Sequence, residues 1–290
     1  MSMQFKNLTE NIGSEVIGIN LAEPISKDDM KRIEQEFNNR AVLLFRNQDI
    51  SEEQHINFSK YFGDLEIHVL KQYLLPENPE ILRISNIQEN KVNVGISDAG
   101  QYWHTDLSYT KTPSRCSILR AKVVPERRGE ITYGDTCFIS TASAYDALDA
   151  EMKQRIKNLK SVHSYTDRYE KMRLAANSQR QPLTAEQIKK VPEVIHPVVR
   201  THPITGRKSI YVNEGFTTGI VDMDPEESQQ LLQELYAHCT SDAFKYRHKW
   251  MVGDIIMWDN CSTQHFAIAD YGPDQLRLMY RTTVMGSEVF

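Results

Sequence analysis

Residues 275–284 near the carboxyl end of the chain read Gln275-Leu276-Arg277-Leu278-Met279-Tyr280-Arg281-Thr282-Thr283-Val284. The β-branched and aromatic side chains predict a strand, in which alternate side chains share a face. One face is expected to carry Arg277, Met279, Arg281 and Thr283, and the other Leu278, Tyr280, Thr282 and Val284. A buried guanidinium is costly without an anionic partner, and its planar fork suits a carboxylate or a sulfonate. The strand therefore predicts an anionic ligand beside two arginines.

A histidine lies before this strand, at the end of the run Trp258-Asp259-Asn260-Cys261-Ser262-Thr263-Gln264-His265. Far upstream, Tyr102-Trp103-His104-Thr105-Asp106 contains a His-x-Asp pair. In an extended segment these two side chains point to the same face and can offer an imidazole and a carboxylate to one ion. The pair alone is a weak signal, but a second imidazole completes the ligand set of non-haem Fe(II) oxygenases. The candidate iron ligands are therefore His104, Asp106 and His265.

The first part of the chain predicts two strands and two helices. The strands are expected at 15–19 and 41–45, the second as a buried apolar run. One helix is expected to begin at Ser26, with Asp28 and Asp29 in its first turn. Another is expected to begin at Ser51 and to end near 62–63, where a glycine can terminate it.

From Ile81 onward, short strands separated by turn residues dominate, with helical insertions near 143–158 and 225–241. Together with the late histidine and the late arginine strand, this pattern predicts a mainly β fold with helical insertions. We expect a double-stranded β-helix, which is a cupin-like jelly roll, with flanking helices. No repeat or linker divides the chain, so one domain over residues 1–290 is expected.

Composition is that of an ordinary globular enzyme. Of the 290 residues, 40% are hydrophobic and 25% are charged, with a net charge of -5. This charge argues against nucleic acid as the main partner. The four cysteines show no Cys-x-x-Cys spacing and are expected to be reduced thiols. The longest apolar runs are of strand length, so no membrane partner and a cytoplasmic location are expected.

Residues 163–192 are highly charged and have few apolar anchors. A mobile lid over the site is one interpretation, because lids exclude water from reactive centres. A solvated helical excursion is the alternative, because runs of charge usually lie on solvated faces.

Several motifs together resemble the taurine dioxygenase (TauD/TfdA) family, whose members use Fe(II), 2-oxoglutarate and O2. The resemblance extends from about Glu15 to Val284. It is carried by Trp103-His104-Thr105-Asp106, by Gly134-Asp135-Thr136, by His196-Pro197-Val198-Val199-Arg200-Thr201-His202-Pro203, by Val212-Asn213-Glu214-Gly215-Phe216-Thr217-Thr218, and by the stretch from Trp258 through His265 to Arg281.

This resemblance implies residue roles. The iron ligands would be His104, Asp106 and His265, in agreement with the donor types. The distal carboxylate of 2-oxoglutarate would be held by Thr136 and Arg277. The three tryptophans are interpreted as packing residues around the site.

The substrate would be contacted by residues at four positions. Arg281 would face its anionic group, His68 matches a substrate-contacting histidine, and Phe216 matches an aromatic wall. Lys71 stands about where the taurine oxidisers carry a substrate-facing tyrosine and would favour an acidic group. Gly100 stands where they carry an asparagine, so the pocket is expected to differ from theirs.

The motif that ends in Gly134-Asp135-Thr136 is interrupted relative to the usual Gly-Gly-Asp-Thr turn. The run Arg127-Arg128-Gly129-Glu130-Ile131-Thr132-Tyr133 carries what looks like a four-residue insertion. We expect Glu130 to Tyr133 to form a small extra turn near the pocket mouth.

Three functions compete. The first is an Fe(II)/2-oxoglutarate dioxygenase that hydroxylates a small anionic substrate, either a sulfonate, a sulfate ester or a carboxylate such as an aryloxyalkanoate, with release of succinate and CO2. The second is a biosynthetic hydroxylase or desaturase of an amino-acid-derived metabolite on the same scaffold. The third is a jelly-roll binding protein without activity, which predicts a lost ligand or arginine, and neither is lost. The resemblance also implies a homo-oligomer, a dimer or a tetramer.

Overall fold

The computed structural model of this protein describes residues 2–175 and 181–290. Seven α-helices lie within these ranges. They are α1 (Lys27–Arg40), α2 (Glu52–Lys60), α3 (Thr141–Ala147), α4 (Ala150–Ile156), α5 (Tyr165–Leu174), α6 (Ala185–Lys190) and α7 (Pro225–Cys239). Two short 3-10 helices span Lys71–Tyr73 and Asp242–Phe244.

Eighteen strands accompany them in the same ranges. They are β1 (Gln4–Asn7), β2 (Ser14–Ile17), β3 (Val42–Phe45), β4 (Leu74–Leu75), β5 (Asn78–Ser85), β6 (Gln88–Glu89), β7 (Val92–Asn93), β8 (Cys116–Val123), β9 (Thr136–Ser140), β10 (Lys160–His163), β11 (Val194–Pro197), β12 (Val199–Thr201), β13 (Lys208–Ile210), β14 (Thr217–Ile220), β15 (Lys245–His248), β16 (Ile255–Asp259), β17 (Thr263–Ala267) and β18 (Leu278–Val284).

The largest sheet has eight strands in the order β1-β2-β3-β16-β8-β18-β5-β4. Every neighbouring pair in it is antiparallel except β2 and β3. A three-stranded sheet, β15-β9-β17, faces it. The two sheets meet through apolar side chains, including Phe138 on β9, whose ring centroid lies 5.5 Å from that of Trp258 on β16. This pair of facing sheets confirms the predicted jelly roll.

The opposite face of the large sheet is covered by α1 and α2. Ile33, Phe37 and Phe58 from these helices pack with buried residues of β3, β8 and β16. Both sides of the central strands are therefore buried, which explains why Met279 and Thr282 on β18 are each inaccessible although they point in opposite directions.

The predicted helix starts are confirmed by their caps. Ser26 accepts a hydrogen bond of 3.1 Å from the backbone N–H of Asp29, and Ser51 forms a reciprocal capping box with Gln54. The second helix ends at Lys60, slightly before the predicted boundary, and Gly63 follows with a φ of +139°.

The other boundaries also follow the local chemistry. The insertion expected at 143–158 is two helices, because Asp149 caps α4 through the N–H of Met152 and so begins a new helix. The insertion expected at 225–241 is α7, which Asp224 caps and which has proline at its first position. The first predicted strand is β2, which begins at Ser14 and ends at Ile17, before the expected 19.

The charged segment at 163–192 contains α5 and α6, and its residues 176–180 lie outside the described ranges. Neither helix has a fully buried side chain. Each of the four cysteines is buried and free, as expected for reduced thiols. No helix in residues 2–175 and 181–290 has the length and apolarity that a membrane crossing requires.

Candidate iron centre

His104 and His265 are joined through their backbones. The N–H of His265 donates to the carbonyl of His104 at 2.9 Å, and the N–H of His104 donates back at 3.2 Å. Their ring centroids are 4.1 Å apart. Because His265 belongs to β17, the pairing of this strand with the 102–106 segment brings the two imidazoles to one place.

Asp106 completes the group. Its Oδ1 atom lies 3.7 Å from Nε2 of His104 and 4.0 Å from Nε2 of His265. Its Oδ2 atom accepts a hydrogen bond of 2.7 Å from the hydroxyl of Ser117 on β8. The three potential ligand atoms all lie within 4.8 Å of one another, and all three side chains are buried.

This donor set fits Fe(II). Nδ1 of His104 lies 2.8 Å from the carbonyl oxygen of Tyr102, so this nitrogen carries the proton and the Nε2 lone pair is free for a metal. The His265 ring lies against Trp258 and Phe138, at centroid distances of 4.7 and 6.1 Å. Two imidazoles and one carboxylate that converge on one point are the facial arrangement of non-haem iron sites.

The electrostatics favour the protonation states that a metal requires. Burial alone would raise the pKa of Asp106, but the Arg281 guanidinium and the neighbouring imidazoles hold it well below its usual range. Burial, with a contribution from His104, holds the pKa of His265 well below its usual range. Asp106 is therefore anionic and His265 neutral, and both are able to bind a cation.

Arg277 lies just before β18 and is buried, with 5% of its surface exposed. Burial lowers the pKa of its guanidinium, and a hydrogen bond with Tyr271 opposes this shift. Its Nε atom has no hydrogen-bond partner, and no carboxylate oxygen of the described residues lies within 4.0 Å of the guanidinium. A buried cation of this kind suits a carboxylate from a ligand.

The Gly134-Asp135-Thr136 motif lies against Arg277. A Cβ atom on Gly134 would come within 3.3 Å of Cδ and Nε of Arg277, so the glycine permits this close approach. Thr136 follows on β9 and accepts a hydrogen bond of 3.0 Å from the indole of Trp250. Phe138, two residues further along β9, pairs with His265. Strand β9 therefore begins beside the contact between Gly134 and Arg277 and continues to the candidate metal ligands.

Three of the four predicted substrate residues lie near the candidate ligands. Arg281 places Nη1 3.2 Å from Oδ1 of Asp106. Phe216 is buried with its ring centroid 6.1 Å from that of His104. Burial, together with the nearby Arg281 guanidinium, lowers the pKa of His68 to about 4. Lys71, in contrast, begins a 3-10 helix and has an exposed side chain, so its substrate contact stays a prediction.

Several residues that line the site were not predicted. Trp250 was expected only to pack, but its indole orients Thr136. No local sequence pattern predicted Ser117, because it reaches Asp106 from a strand in the large sheet.

Two aromatic or acidic side chains near the predicted substrate residues were also not predicted. Tyr109 follows the His-x-Asp motif, and its ring centroid lies 4.6 Å from that of Phe216. Glu66 adjoins the predicted His68, and burial raises its pKa although the Arg281 guanidinium opposes the shift.

The predicted insertion does form a turn. Arg128 and Ile131 exchange two backbone hydrogen bonds of 3.1 Å, and Gly129 between them has a φ of +64°. The turn is exposed, and it begins before Glu130 because the left-handed position falls on the glycine. Its proximity to the pocket mouth stays a prediction.

A second cluster, His202, Asp259 and Cys261, is structural. Nε2 of His202 lies 3.0 Å from Oδ2 of Asp259, while Nδ1 accepts hydrogen bonds of 3.1 Å from the N–H groups of Ile204 and Thr205. The backbone N–H of Cys261 donates to Oδ1 of Asp259 at 2.8 Å. Both imidazole nitrogens and both carboxylate oxygens are satisfied, so this cluster braces the turn that precedes His265.

Curated relatives align with nearly the whole chain. They are pentalenolactone F synthase of Streptomyces arenae (30% identity, 92% of this chain and 90% of the relative), the alpha-ketoglutarate-dependent 2,4-dichlorophenoxyacetate dioxygenase of Cupriavidus pinatubonensis (32%, 91% and 92%) and the alkylsulfatase of Acinetobacter baylyi (32%, 98% and 85%).

The solved structure of AAD-2 in complex with Mn(II) and N-oxalylglycine is similar in fold and sequence. It superposes with a TM-score of 0.81 at 31% identity and covers 100% of this chain and 99% of its own. The comparisons, together with the convergent His104, Asp106 and His265, confirm the expected cofactors, which are Fe(II), 2-oxoglutarate and O2. The model of the family described as "Taurine catabolism dioxygenase TauD, TfdA family" matches residues 4–283. The chain therefore belongs to the TauD/TfdA family of dioxygenases.

Proposed function

We propose that the protein hydroxylates a small anionic substrate in an Fe(II)- and 2-oxoglutarate-dependent reaction that releases succinate and CO2. The substrate class is a sulfonate, a sulfate ester or a carboxylate such as an aryloxyalkanoate. The observation that carries this proposal is the placement of Arg281, whose guanidinium reaches within 3.2 Å of the candidate ligand Asp106 in a largely buried site. The names of the relatives, a 2,4-dichlorophenoxyacetate dioxygenase and an alkylsulfatase, support two of these classes.

The three ligands would hold the metal as neutral His104, neutral His265 and anionic Asp106. When bound, iron and 2-oxoglutarate supply the oxidation, in which one atom of O2 enters the substrate C–H bond and the other enters succinate. Ser117 keeps Asp106 in place by occupying Oδ2, so that Oδ1 stays directed at the imidazoles. The protein contributes position and charge, and the mechanism needs no further acid or base from its side chains.

The cosubstrate would lie with its distal carboxylate between Arg277 and Thr136. Because Oγ1 of Thr136 accepts from the Trp250 indole, its own hydroxyl hydrogen is free to donate to a carboxylate. Arg277 adds a buried charge whose Nε has no partner among the described residues. Two oriented donors at the end of β9 would fix one end of the cosubstrate, and the other end would then face the triad.

The substrate would lie on the opposite side of the triad. Nε of Arg281 is buried without a hydrogen-bond partner, so the guanidinium has donors to spare beyond its contact with Asp106. His68 is neutral at ordinary pH and can donate one ring N–H to the same anion. Phe216 would provide an apolar wall beside His104, and Lys71 is proposed to meet the acidic group at the pocket mouth. Segment 163–192 is proposed to act as the lid.

The test is succinate formation by the iron-loaded protein with 2-oxoglutarate, O2 and a panel of sulfonates, sulfate esters, aryloxyacetates and amino acids. We expect at least one anionic compound to raise turnover well above the uncoupled background. Arg281→Ala should abolish this stimulation and Arg281→Lys should restore part of it, while iron-dependent binding of 2-oxoglutarate persists in both variants. Stimulation that survives in Arg281→Ala would refute the anion role.

A biosynthetic reaction on an amino-acid-derived metabolite is a second candidate, and Glu66 favours it. The N–H of Glu66 donates to the carbonyl of Thr283 on β18, which places the residue beside Arg281. A carboxylate next to a guanidinium suits a substrate that carries both an ammonium and a carboxylate group. Stimulation by amino acids alone, with a hydroxylated or desaturated product that is not cleaved, would select this candidate.

A further inference from the structure

Helix α5 is attached to the protein through its polar and aromatic side chains. Its ten residues include no fully buried side chain. Tyr165 contacts Tyr109, with ring centroids 4.9 Å apart, and Tyr109 in turn contacts Phe216. The helix is therefore docked on the residues that line the proposed substrate pocket.

Arg168 makes the second contact of this helix with the pocket. Its Cζ atom lies 3.5 Å from the centre of the Tyr102 ring, which is the geometry of a cation–π interaction. The Tyr102 ring is itself 4.9 Å from the ring of the candidate ligand His104 and 5.9 Å from the ring of Phe216. A charge from the helix thus lies beside the wall of the iron site.

Gly215 helps to hold Tyr102 in this position. A Cβ atom on Gly215 would come within 2.7 Å of the Tyr102 ring and 2.9 Å of Cβ of His104. The backbone of 215 therefore closes one side of the tyrosine, while Arg168 covers another. The Tyr102 ring therefore contacts both the backbone at Gly215 and the Arg168 guanidinium.

Arg168 differs from the other cations of α5 in its partners. Lys171 pairs with Asp167 at 2.8 Å, and Nε of Arg173 donates to Glu170 at 2.8 Å. In contrast, Nε of Arg168 is buried without a hydrogen-bond partner, and no carboxylate oxygen in residues 2–175 and 181–290 lies within 4.0 Å of its guanidinium. The guanidinium also interacts with the Tyr102 side chain by hydrogen bonding and charge. A buried donor without an acceptor is costly, so an acidic ligand group beside Nε would be stabilised.

We propose that Arg168 determines specificity by binding a second acidic group of the substrate, at the end opposite to the group that Arg281 binds. The aromatic side chains between the two arginines would enclose an apolar body, so the preferred substrate is an elongated dianion with an apolar middle. This inference rests on the proposed function, since it requires that Arg281 binds an anion in the same pocket.

The experiment uses the full chain loaded anaerobically with Fe(II) and 2-oxoglutarate, and titration calorimetry measures binding of matched probes. One pair is 4-carboxyphenoxyacetate and its amide, 4-carbamoylphenoxyacetate, and the other is hexane-1,6-disulfonate and hexane-1-sulfonate. The variants are Arg168→Gln and, as a control that removes the same charge from the exposed part of the helix, Lys171→Gln. The Arg281→Ala variant identifies binding at the proposed anion site.

In at least one pair, we expect the probe with two acidic groups to bind with a Kd at least tenfold lower than that of its singly charged partner. This advantage should disappear in Arg168→Gln and persist in Lys171→Gln. If the singly charged probes bind in an Arg281-dependent way but the second acid brings no Arg168-dependent gain, this inference is refuted and the proposed function stands. Equal weakening of both members of a pair in Arg168→Gln would show that Arg168 only holds the helix. If no probe shows Arg281-dependent binding, the proposed function fails and this inference fails with it.

Discussion

The indole nitrogen of Trp250 donates a hydrogen bond of 3.0 Å to Oγ1 of Thr136, and both atoms are buried. Thr136 begins β9, and Trp250 lies between β15 and β16, so the bond connects segments that are far apart in sequence. Because the oxygen accepts this bond, the threonine hydroxyl hydrogen remains available to donate to another group. The relationship makes Trp250 a positioning residue for the proposed cosubstrate site.

Trp250→Phe is expected to raise KM for 2-oxoglutarate by roughly fivefold, because a lost buried hydrogen bond costs about 1 kcal/mol. The substitution keeps an aromatic ring, so the fold should persist. Thr136→Val removes the same bond from the other side, and the double variant should be no worse than the poorer single one. Additive losses in succinate-formation kinetics would show that the two residues act separately.

Ser117→Ala is expected to weaken Fe(II) binding by about 10- to 100-fold, because the hydroxyl fixes Oδ2 of Asp106, the candidate carboxylate ligand. Ser114→Ala is the matched control, since Ser114 is also buried and bonded to Asn260 but meets only the backbone carbonyl of Asp106. Titration of each apoprotein variant with Fe(II) under anaerobic conditions measures its affinity for the metal. Equal affinities for the two variants would contradict the orienting role.

Gly134→Ala is expected to weaken 2-oxoglutarate binding and to destabilise the protein. The new Cβ would lie 3.2 Å from the Tyr271 ring and 3.3 Å from Nε of Arg277, and the φ of +68° is strained for alanine. Gly129→Ala isolates the strain, because its φ is +64° and nothing lies within 4 Å of the added atom. We expect a cost of about 1 kcal/mol from strain in both variants and a loss of cosubstrate affinity in Gly134→Ala alone. Thermal unfolding and cosubstrate titration give the two quantities, and a matching affinity loss in Gly129→Ala would contradict the contact.

His163 predicts an acid-dependent loss of stability. Burial, reinforced by His196, lowers its pKa from the usual 6.5 of a histidine to about 3. Between these values the unfolded chain binds the proton and the folded chain does not, so stability is present above pH 6.5 and decreases as the pH falls toward 3. The slope from this residue is about 1.4 kcal/mol per pH unit. His163→Asn should reduce the slope of the unfolding free energy in urea titrations by this amount, and parallel curves for the two proteins would disprove the assignment.

The sequence predicts the candidate ligands because its signals there are local. The alternation of side chains predicts His104 and Asp106 on one side, and the structure brings both together although only His104 forms a β-bridge and Asp106 begins a turn. The serine caps at 26 and 51 begin their helices without help from the rest of the chain. The late strand was predicted with Arg277 inside it, whereas β18 begins at Leu278 and its pairing with β8 shifts register after that residue. Pattern alone identified the strand but not this irregularity.

By itself, therefore, the sequence determined the jelly-roll class and the presence of two late arginines, and it predicted His104, Asp106 and His265 as the candidate triad. Only the tertiary structure decided which distant side chains lie around the candidate site, among them Ser117, Trp250 and Arg168, and that Lys71 is exposed. The physical reason is that side-chain periodicity and helix capping act over a few residues, whereas strand register and sheet packing are set by contacts between remote segments. A hydroxyl on β8 reaches Asp106 because β8 lies between β16 and β18 in the large sheet, and nothing in the residues next to Ser117 encodes that neighbourhood.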